Sequence, residues 1–440
     1  MGRLIRWAAT VCAALVIGLV GAPQVLGFDG FGDATVDSTY DLEMRFEVEL
    51  RGATPDRLEL LVRTPGSDAS FVTPVEPAGD VARYVWDTST DHVTPNTLFT
   101  YQWRATVGDE VVLGPEETLR YEDDREGLDW QEAQLGEATV HWYGDAEAQA
   151  RRFGELTAVG VEQAEDLLGT ELAGPVDVFV YDSREDFFGA LGPGAREWTG
   201  AAAYSELRTI FMWLGGGSAS YLEVAMVHEV THIVFFDATD NAFHGPARWL
   251  NEGIATWSES GDAGDERGIV EFEASGAGLF SFDAISEQFP IGERGGQLSY
   301  AQGTTLVDLI IDRHGREAIA DIAAAYREGA SDAEALEAGT GMAADELYAV
   351  FYDEFGVDAP APIQAEPIAA SNVDRPTAGL IDEGGVDVDP AAPPDSAPEQ
   401  SPTDDADGAS LPLLLLLALA GIAAVGGAVW AGRRAAERSR

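Results

Sequence analysis

Residues 224–235 read VAMVHEVTHIVF. His228 and His232 are four positions apart, so on a helix they project from one face, one turn from each other. That is the spacing two imidazoles need to grip a single zinc ion. Glu229 follows the first histidine directly and sits about 100° further around such a helix. There it flanks the ion, and its carboxylate can take a proton from water. The chemistry would be metal-assisted hydrolysis. On the pentapeptide alone a second reading stays open, that of a buried helix whose histidines bond to backbone or carboxylate partners.

A hydrolytic metal site needs a third protein ligand and an open position. The segment ARWLNEGIATW, residues 247–257, reads as a second helix with Glu252 near its start, twenty residues after His232. Trp249, Leu250, Ile254 and Trp257 make this helix apolar, so a carboxylate on it wants a partner, and Gly253 permits close approach of another helix. A carboxylate from a second, antiparallel helix can supply the third ligand, which makes Glu252 a candidate beside His228 and His232, with a solvated carboxylate as the other reading.

These residues must be held by their elements. Ser220 and Glu223 have capping-box spacing, which starts the first helix and predicts it over 221–236. Val224, Val227, Val230, Thr231, Val234 and Phe235 cover much of its circumference and predict deep burial. The second helix is expected over about 247–259. Before them, 138–144, 175–183 and 207–215 read as strands, with a helix near 146–168, and Tyr300 to Phe355 reads as helical. Strands followed by helices give an α+β layout. Residues 42–50, 57–64, 82–88 and 97–107 alternate apolar and polar residues between turn formers, which predicts a small N-terminal β-sandwich of fibronectin or immunoglobulin type over residues 29–125. The aromatic residues of 82–103 read as its core, and 122–130 as a charged boundary.

The formal net charge is -51, and no lysine occurs anywhere in the 440 residues. Such a surface repels nucleic acid, which is excluded as a partner. The single cysteine, Cys12, excludes a disulfide scaffold and cysteine-ligated metals. Residues 1–28 have the pattern of a signal peptide: Arg3 and Arg6, then an apolar run, then small residues. Residues 359–410 are a Pro- and Asp-rich stalk in composition. Residues 411–432 are long enough to cross a bilayer, and the arginines of 433–440 mark a cytoplasmic tail. The expected location is therefore a cell membrane, crossed once, with the bulk of the chain outside.

HEVTH followed by WLNEGIATW resembles the gluzincin metallopeptidases, specifically the peptidase MA-like domains. YAQGTTLVDLIIDRHG (300–315) is similar to the helix these domains carry after the metal site, and LYAVFYDEFG (347–356) to their closing helix. The resemblance implies a thermolysin-like zincin domain over 126–358, a mixed sheet with a helical lobe. It implies one catalytic Zn2+ on His228, His232 and Glu252, with Glu229 as general base. It also implies a peptide or protein substrate held in extended form by an edge strand before the zinc helix, a place that LRTIFMWLG takes in chain order. Related enzymes put a tyrosine in the following helix as oxyanion donor, which nominates Tyr300, with a core tyrosine as the equal reading. His314 is a weaker candidate at a helix end, and His244 reads as a surface-loop histidine.

Two departures matter. The GxMEN segment that captures a substrate amino terminus in zinc aminopeptidases is absent, which points to an endopeptidase. The thermolysin-like aspartate four residues after the ligand glutamate is replaced by Thr256, so support for the ligands must come from elsewhere. Beside the membrane-anchored zinc endopeptidase stand a catalytically silent scaffold or binding protein, and a metal-dependent hydrolase of a non-peptide bond. Oligomeric state is not encoded in any motif.

Overall fold

The computed structural model describes residues 27–64, 70–90, 92–192 and 200–361. The expected membrane span at 411–432, the tail at 433–440, nearly all of the stalk and all but the end of the signal segment lie outside the described residues. Among the described residues no helix is long and apolar enough to cross a membrane. Among the described residues the fold is mixed α+β and divides into two compact units, one holding those up to Thr90 together with Leu98–Arg120, the other those between Thr90 and Leu98 together with those from Tyr121 onward.

The first unit is all β. Strands β1 (Phe28–Thr39), β2 (Glu43–Gly52) and β5 (Val81–Asp87) form one antiparallel sheet in the order β1-β2-β5. Strands β3 (Arg57–Arg63), β4 (Phe71–Pro74), β6 (Leu98–Val107) and β7 (Glu110–Arg120) form another, in the order β4-β3-β6-β7. The period-two alternation does its expected work. Met44, Phe46 and Val48 of β2 are buried, as are Phe99, Tyr101 and Trp103 of β6. Their rings meet between the sheets, Phe46 on Tyr101 at 5.2 Å and Trp86 on Phe99 at 5.7 Å, both edge to face. Of the aromatic residues of 82–103, Phe99, Tyr101 and Trp103 are core, and Tyr84 and Trp86 are half-buried. Glu59 of β3, only 2% exposed, accepts at Oε2 from Arg104 Nε of the neighbouring β6 at 2.7 Å, which offsets part of the cost of burying the carboxylate.

The second unit is built on a five-stranded sheet. Its strands are β8 (Gln131–Leu135), β9 (Ala138–Trp142), β10 (Val176–Tyr181), β11 (Ala201–Tyr204) and β12 (Thr209–Trp213), in the order β11-β12-β10-β9-β8. β9, β10 and β12 run parallel, and β8 and β11 are antiparallel to their neighbours. Alternation sends Val176, Val178, Val180, Ile210 and Met212 to one face, where helices α1 (Glu147–Leu168) and α3 (Ala219–Thr239) cover them. Tyr181 and Phe211 go to the other face, against α2 (Arg184–Leu191) in an aromatic cluster with Phe187 and Tyr143. The charged 122–130 stretch is tied down there. Buried Asp123 accepts from Arg125 Nε at 2.7 Å and from Tyr181 OH at 3.0 Å. Asn96 in turn donates to Thr209 Oγ1 at 2.8 Å, which fastens 91–97 to this sheet.

The remaining helices complete the lobe: α4 (Arg248–Ser260), α5 (Gly264–Ser275), α6 (Glu293–His314), α7 (Glu317–Arg327), α8 (Asp332–Thr340) and α9 (Ala344–Glu354). α6 starts seven residues ahead of the expected Tyr300 boundary. α4 and α6 cross in close contact at two glycines. A Cβ on Gly253 would lie 2.6 Å from the carbonyl carbon of Gly303, and one on Gly303 would lie 2.4 Å from the carbonyl oxygen of Trp249. Trp257 Nε1 donates to Asp308 Oδ1 at 2.9 Å along the same interface. The crossing fixes α4, and therefore Glu252, against the rest of the lobe.

Candidate metal centre

α3 carries the histidines. Its N-cap is Ser218, whose Oγ accepts from Tyr221 N–H at 3.2 Å. The expected capping box at Ser220 and Glu223 does not form. Ser220 lies inside the helix, and Glu223 instead pairs with Arg152 of α1 at 3.0 Å. Burial is also uneven along α3. Val230, Thr231, Val234 and Phe235 are buried, Val227 is half-buried, and Val224 is 39% exposed. The C-terminal half is packed under the sheet, with Val230 seated 3.3 Å from where a Cβ on Gly160 of α1 would lie. The N-terminal half opens toward solvent, and the two histidines sit at the change-over.

Three of the predicted ligands converge. Glu252 Oε2 lies 3.5 Å from His228 Nε2 and 3.5 Å from His232 Nε2. A tetrahedral ion with bonds of about 2.1 Å separates its ligand atoms by about 3.4 Å, so the donor set fits zinc. Oε2 of Glu252 is buried and has no hydrogen-bond partner, as an atom reserved for a cation would be. Among the described residues His228, His232 and Glu252 are the group of metal-type side chains brought together in this way.

The other ring nitrogens are occupied. His228 Nδ1 is 2.8 Å from Glu259 Oε1, and His232 Nδ1 is 2.9 Å from Asn251 Oδ1. With an acceptor at each Nδ1, both Nε2 atoms face Glu252. Arg248 Nη2 is 3.7 Å from Glu252 Oε1, the oxygen turned away from the imidazoles. Support for the ligands therefore comes from Glu259, Asn251 and Arg248, all on α4, in place of the residue at Thr256. The sequence reading missed these three. Counting helical turns from Glu252 would have found them, since Arg248 lies one turn before it, Glu259 two turns after, and Asn251 adjoins it.

The electrostatics are those of a cation site. Burial acts to neutralise the His228 imidazole, but Glu252, Glu259 and Glu229 override it and hold its pKa well above the usual histidine value. Burial likewise acts to raise Glu252, and the two imidazoles override it and hold that carboxyl well below its usual range. Glu229 behaves differently. Burial pushes its carboxyl up, and the charges of His228 and His232 and a backbone N–H from Ala203 only partly offset this. A carboxyl with a raised pKa is suited to taking up and handing on a proton near neutral pH.

The donor from Ala203 identifies the strand beside the site. LRTIFMWLG was expected to supply the edge, but its strand, β12, lies between β11 and β10, and the edge is β11. Three alanines and a tyrosine with no obvious pattern, AAAY, hid that strand in the sequence. Gly200 O accepts from Trp213 N–H. The alternation of an antiparallel ladder then points the backbone groups of Ala202 and Tyr204 toward β12, and those of Ala201 and Ala203 outward.

Tyr300 of α6 flanks the imidazole of His228, with ring centroids 6.3 Å apart, and packs edge to face on Phe289 at 5.2 Å. His314 is fourteen residues further along the same helix, about 21 Å from Tyr300, and stands away from the site. His244 lies in the exposed loop after α3 and is bonded locally to Gly245 O.

Acidic groups crowd the end of α4. Burial, with Glu259, Asp265 and Asp262 nearby, pushes the Glu266 carboxyl up to about 6 from its ordinary 4.5. A folded-state value above the unfolded one means that the folded chain holds this proton more tightly. The associated stability is present below the unfolded value and is lost as pH rises through about 6. Glu266→Gln is therefore expected to raise Tm at pH 7.5, with the gain vanishing near pH 4, in thermal melts across that range. Equal gains at both pH values would refute this account of the crowding.

Comparisons with known proteins bear on the second unit. No curated protein matches the chain. A solved structure described as "Crystal structure of Br derivative BhCBM56" is similar at 5% identity over 21% of this chain and 91% of that chain, with a TM-score of 0.17, a likeness too slight to carry an argument. The family model for the peptidase MA superfamily matches residues 157–352, a span that contains His228, Glu229, His232, Glu252 and Tyr300. Over these residues the chain is similar to the peptidase MA superfamily.

Proposed function

We propose that the protein is a zinc-dependent metallopeptidase that cleaves internal peptide bonds, anchored in a membrane by its C-terminal segment with the catalytic domain outside. One observation carries the reading: the buried, partnerless Glu252 Oε2 faces two imidazole Nε2 atoms at 3.5 Å each, with Glu229 beside them. His228, His232 and Glu252 would hold one zinc ion. When bound, zinc lowers the pKa of water and polarises the scissile carbonyl.

The rest is done by the chain's own residues. An extended peptide would pair with the outward backbone groups of β11 that Glu229 leaves open, those of Ala201 and the carbonyl of Ala203, which would lay its backbone alongside α3. Glu229, anchored to the same strand through the Ala203 N–H, takes the proton of the attacking water and passes it to the leaving amine. Tyr300, whose ring lies 6.3 Å from that of His228, would donate its hydroxyl to the developing oxyanion. Tyr300→Phe is expected to lower kcat with little change in KM. The sequence lacks the segment that would capture a free amino terminus, which supports internal cleavage.

The test uses the full-length protein. Stoichiometric zinc by elemental analysis is expected, as is cleavage of quenched peptides whose amino termini are blocked. Activity should be lost on chelation and restored by zinc. Stoichiometric zinc with no cleavage of any peptide would support the silent scaffold, and absence of zinc would sink the metal site itself.

A further inference from the structure

One helix grips both nitrogens of a single imidazole. α4 presents Glu252 Oε2 3.5 Å from His228 Nε2 and Glu259 Oε1 2.8 Å from His228 Nδ1. The two glutamates are two helical turns apart, a rise of about 10.5 Å with a rotation of only about 20°. They therefore share one face of α4, and the ring of His228 reaches across from α3 to lie between them. Thr256 occupies the intervening turn of that face. Its Oγ1 is buried and makes no hydrogen bond, so the nearer position contributes nothing to the ring.

We propose that Glu259 is the positioning residue that holds His228 in its Nδ1–H tautomer and so aims the Nε2 lone pair at the cation site. The imidazole Nδ1–H donates to the carboxylate, which leaves Nε2 as the unprotonated nitrogen. The side chain is long because it reaches from two turns away. Aspartate at this position would fall short by one carbon–carbon bond, about 1.5 Å. Glutamine keeps both the length and an acceptor oxygen.

The inference rests on the zinc reading above, and its test separates the two. On the full-length chain, zinc affinity is measured by competition with a chelator, and the tautomers of the six histidines by nitrogen NMR. Glu259→Ala and Glu259→Asp are expected to weaken zinc roughly 10–100-fold, to lower kcat with KM little changed, and to lose the Nδ1–H signature of His228. Glu259→Gln should retain the tautomer and weaken zinc less than the alanine variant. Thr256→Asp added to Glu259→Ala should recover part of the affinity, since it places a carboxylate on the same face one turn nearer. Should the alanine variant fail to fold, Glu259→Asp against Glu259→Gln still carries the comparison of affinity and tautomer. Wild-type zinc binding with unchanged affinity and tautomer in folded Glu259→Ala, or in Glu259→Gln and Glu259→Asp alike, overturns the role of Glu259 alone. A wild-type chain that takes up no zinc overturns the metal reading.

Discussion

Glu229→Gln should leave zinc bound at wild-type stoichiometry and lower kcat by roughly 10²–10⁴, with KM nearly unchanged. Glu229 is not among the side chains that converge on the cation position. Its neighbours are the Ala203 N–H and the two imidazole charges. Glutamine fits the same space and can still meet the Ala203 N–H with its amide oxygen, so folding and metal affinity are expected to survive. What is lost is the capacity to accept a proton, and burial has already tuned that capacity upward in the native carboxyl. The measurement is steady-state kinetics on a blocked peptide, alongside zinc content. A variant with wild-type kcat would remove Glu229 from the mechanism. One that lost zinc as well would show that its role is to hold the site rather than to move a proton.

Gly253→Ala should destabilise the catalytic unit and weaken zinc, although helix propensity alone predicts the opposite. In an exposed helix, replacing glycine by alanine gains about 1 kcal/mol. Here the new methyl would sit 2.6 Å from the Gly303 carbonyl carbon and 2.7 Å from its oxygen, backbone atoms that cannot rotate away. Overpacking of this kind costs about 1–3 kcal/mol, so the contact outweighs propensity. At about 2–4 °C per kcal/mol for a unit of this size, the net loss should be read as a fall of several degrees in Tm. Relief requires α4 to move off α6, and Glu252, the adjacent residue, moves with it. Zinc affinity should therefore fall in step with Tm. A rise in Tm would show that the crossing has slack and that propensity governs. Gly303→Ala meets the Trp249 carbonyl oxygen at 2.4 Å and should act in the same direction.

Much of the site was legible because it is built from helix geometry. HEVTH puts two imidazoles on one face wherever the helix lies, and WLNEG puts a carboxylate on an apolar one. The β-rich first unit followed from alternation for the same local reason. Other features were hidden. β11 is three alanines and a tyrosine with no periodic signal, and nothing local distinguishes an edge strand from the neighbouring β12. The Ser220 and Glu223 pair had the spacing of a cap, but Arg152 of α1 drew Glu223 away and Ser218 capped the helix instead. Glu259 was passed over because its partner is thirty-one residues distant on another helix.

The sequence by itself determined which atoms are available: two imidazoles one turn apart, a carboxylate between them on the turn, and a third ligand on a following helix. Those relations repeat every 3.6 residues and need no neighbours. Tertiary structure decided which atoms meet. It set Glu252 between the two Nε2 atoms, Glu259 and Asn251 behind them, and Ala203 against Glu229, because strand order and the Gly253–Gly303 crossing depend on contacts between residues far apart in the chain. Such contacts are set by the complementarity of whole packed surfaces, which no local period records.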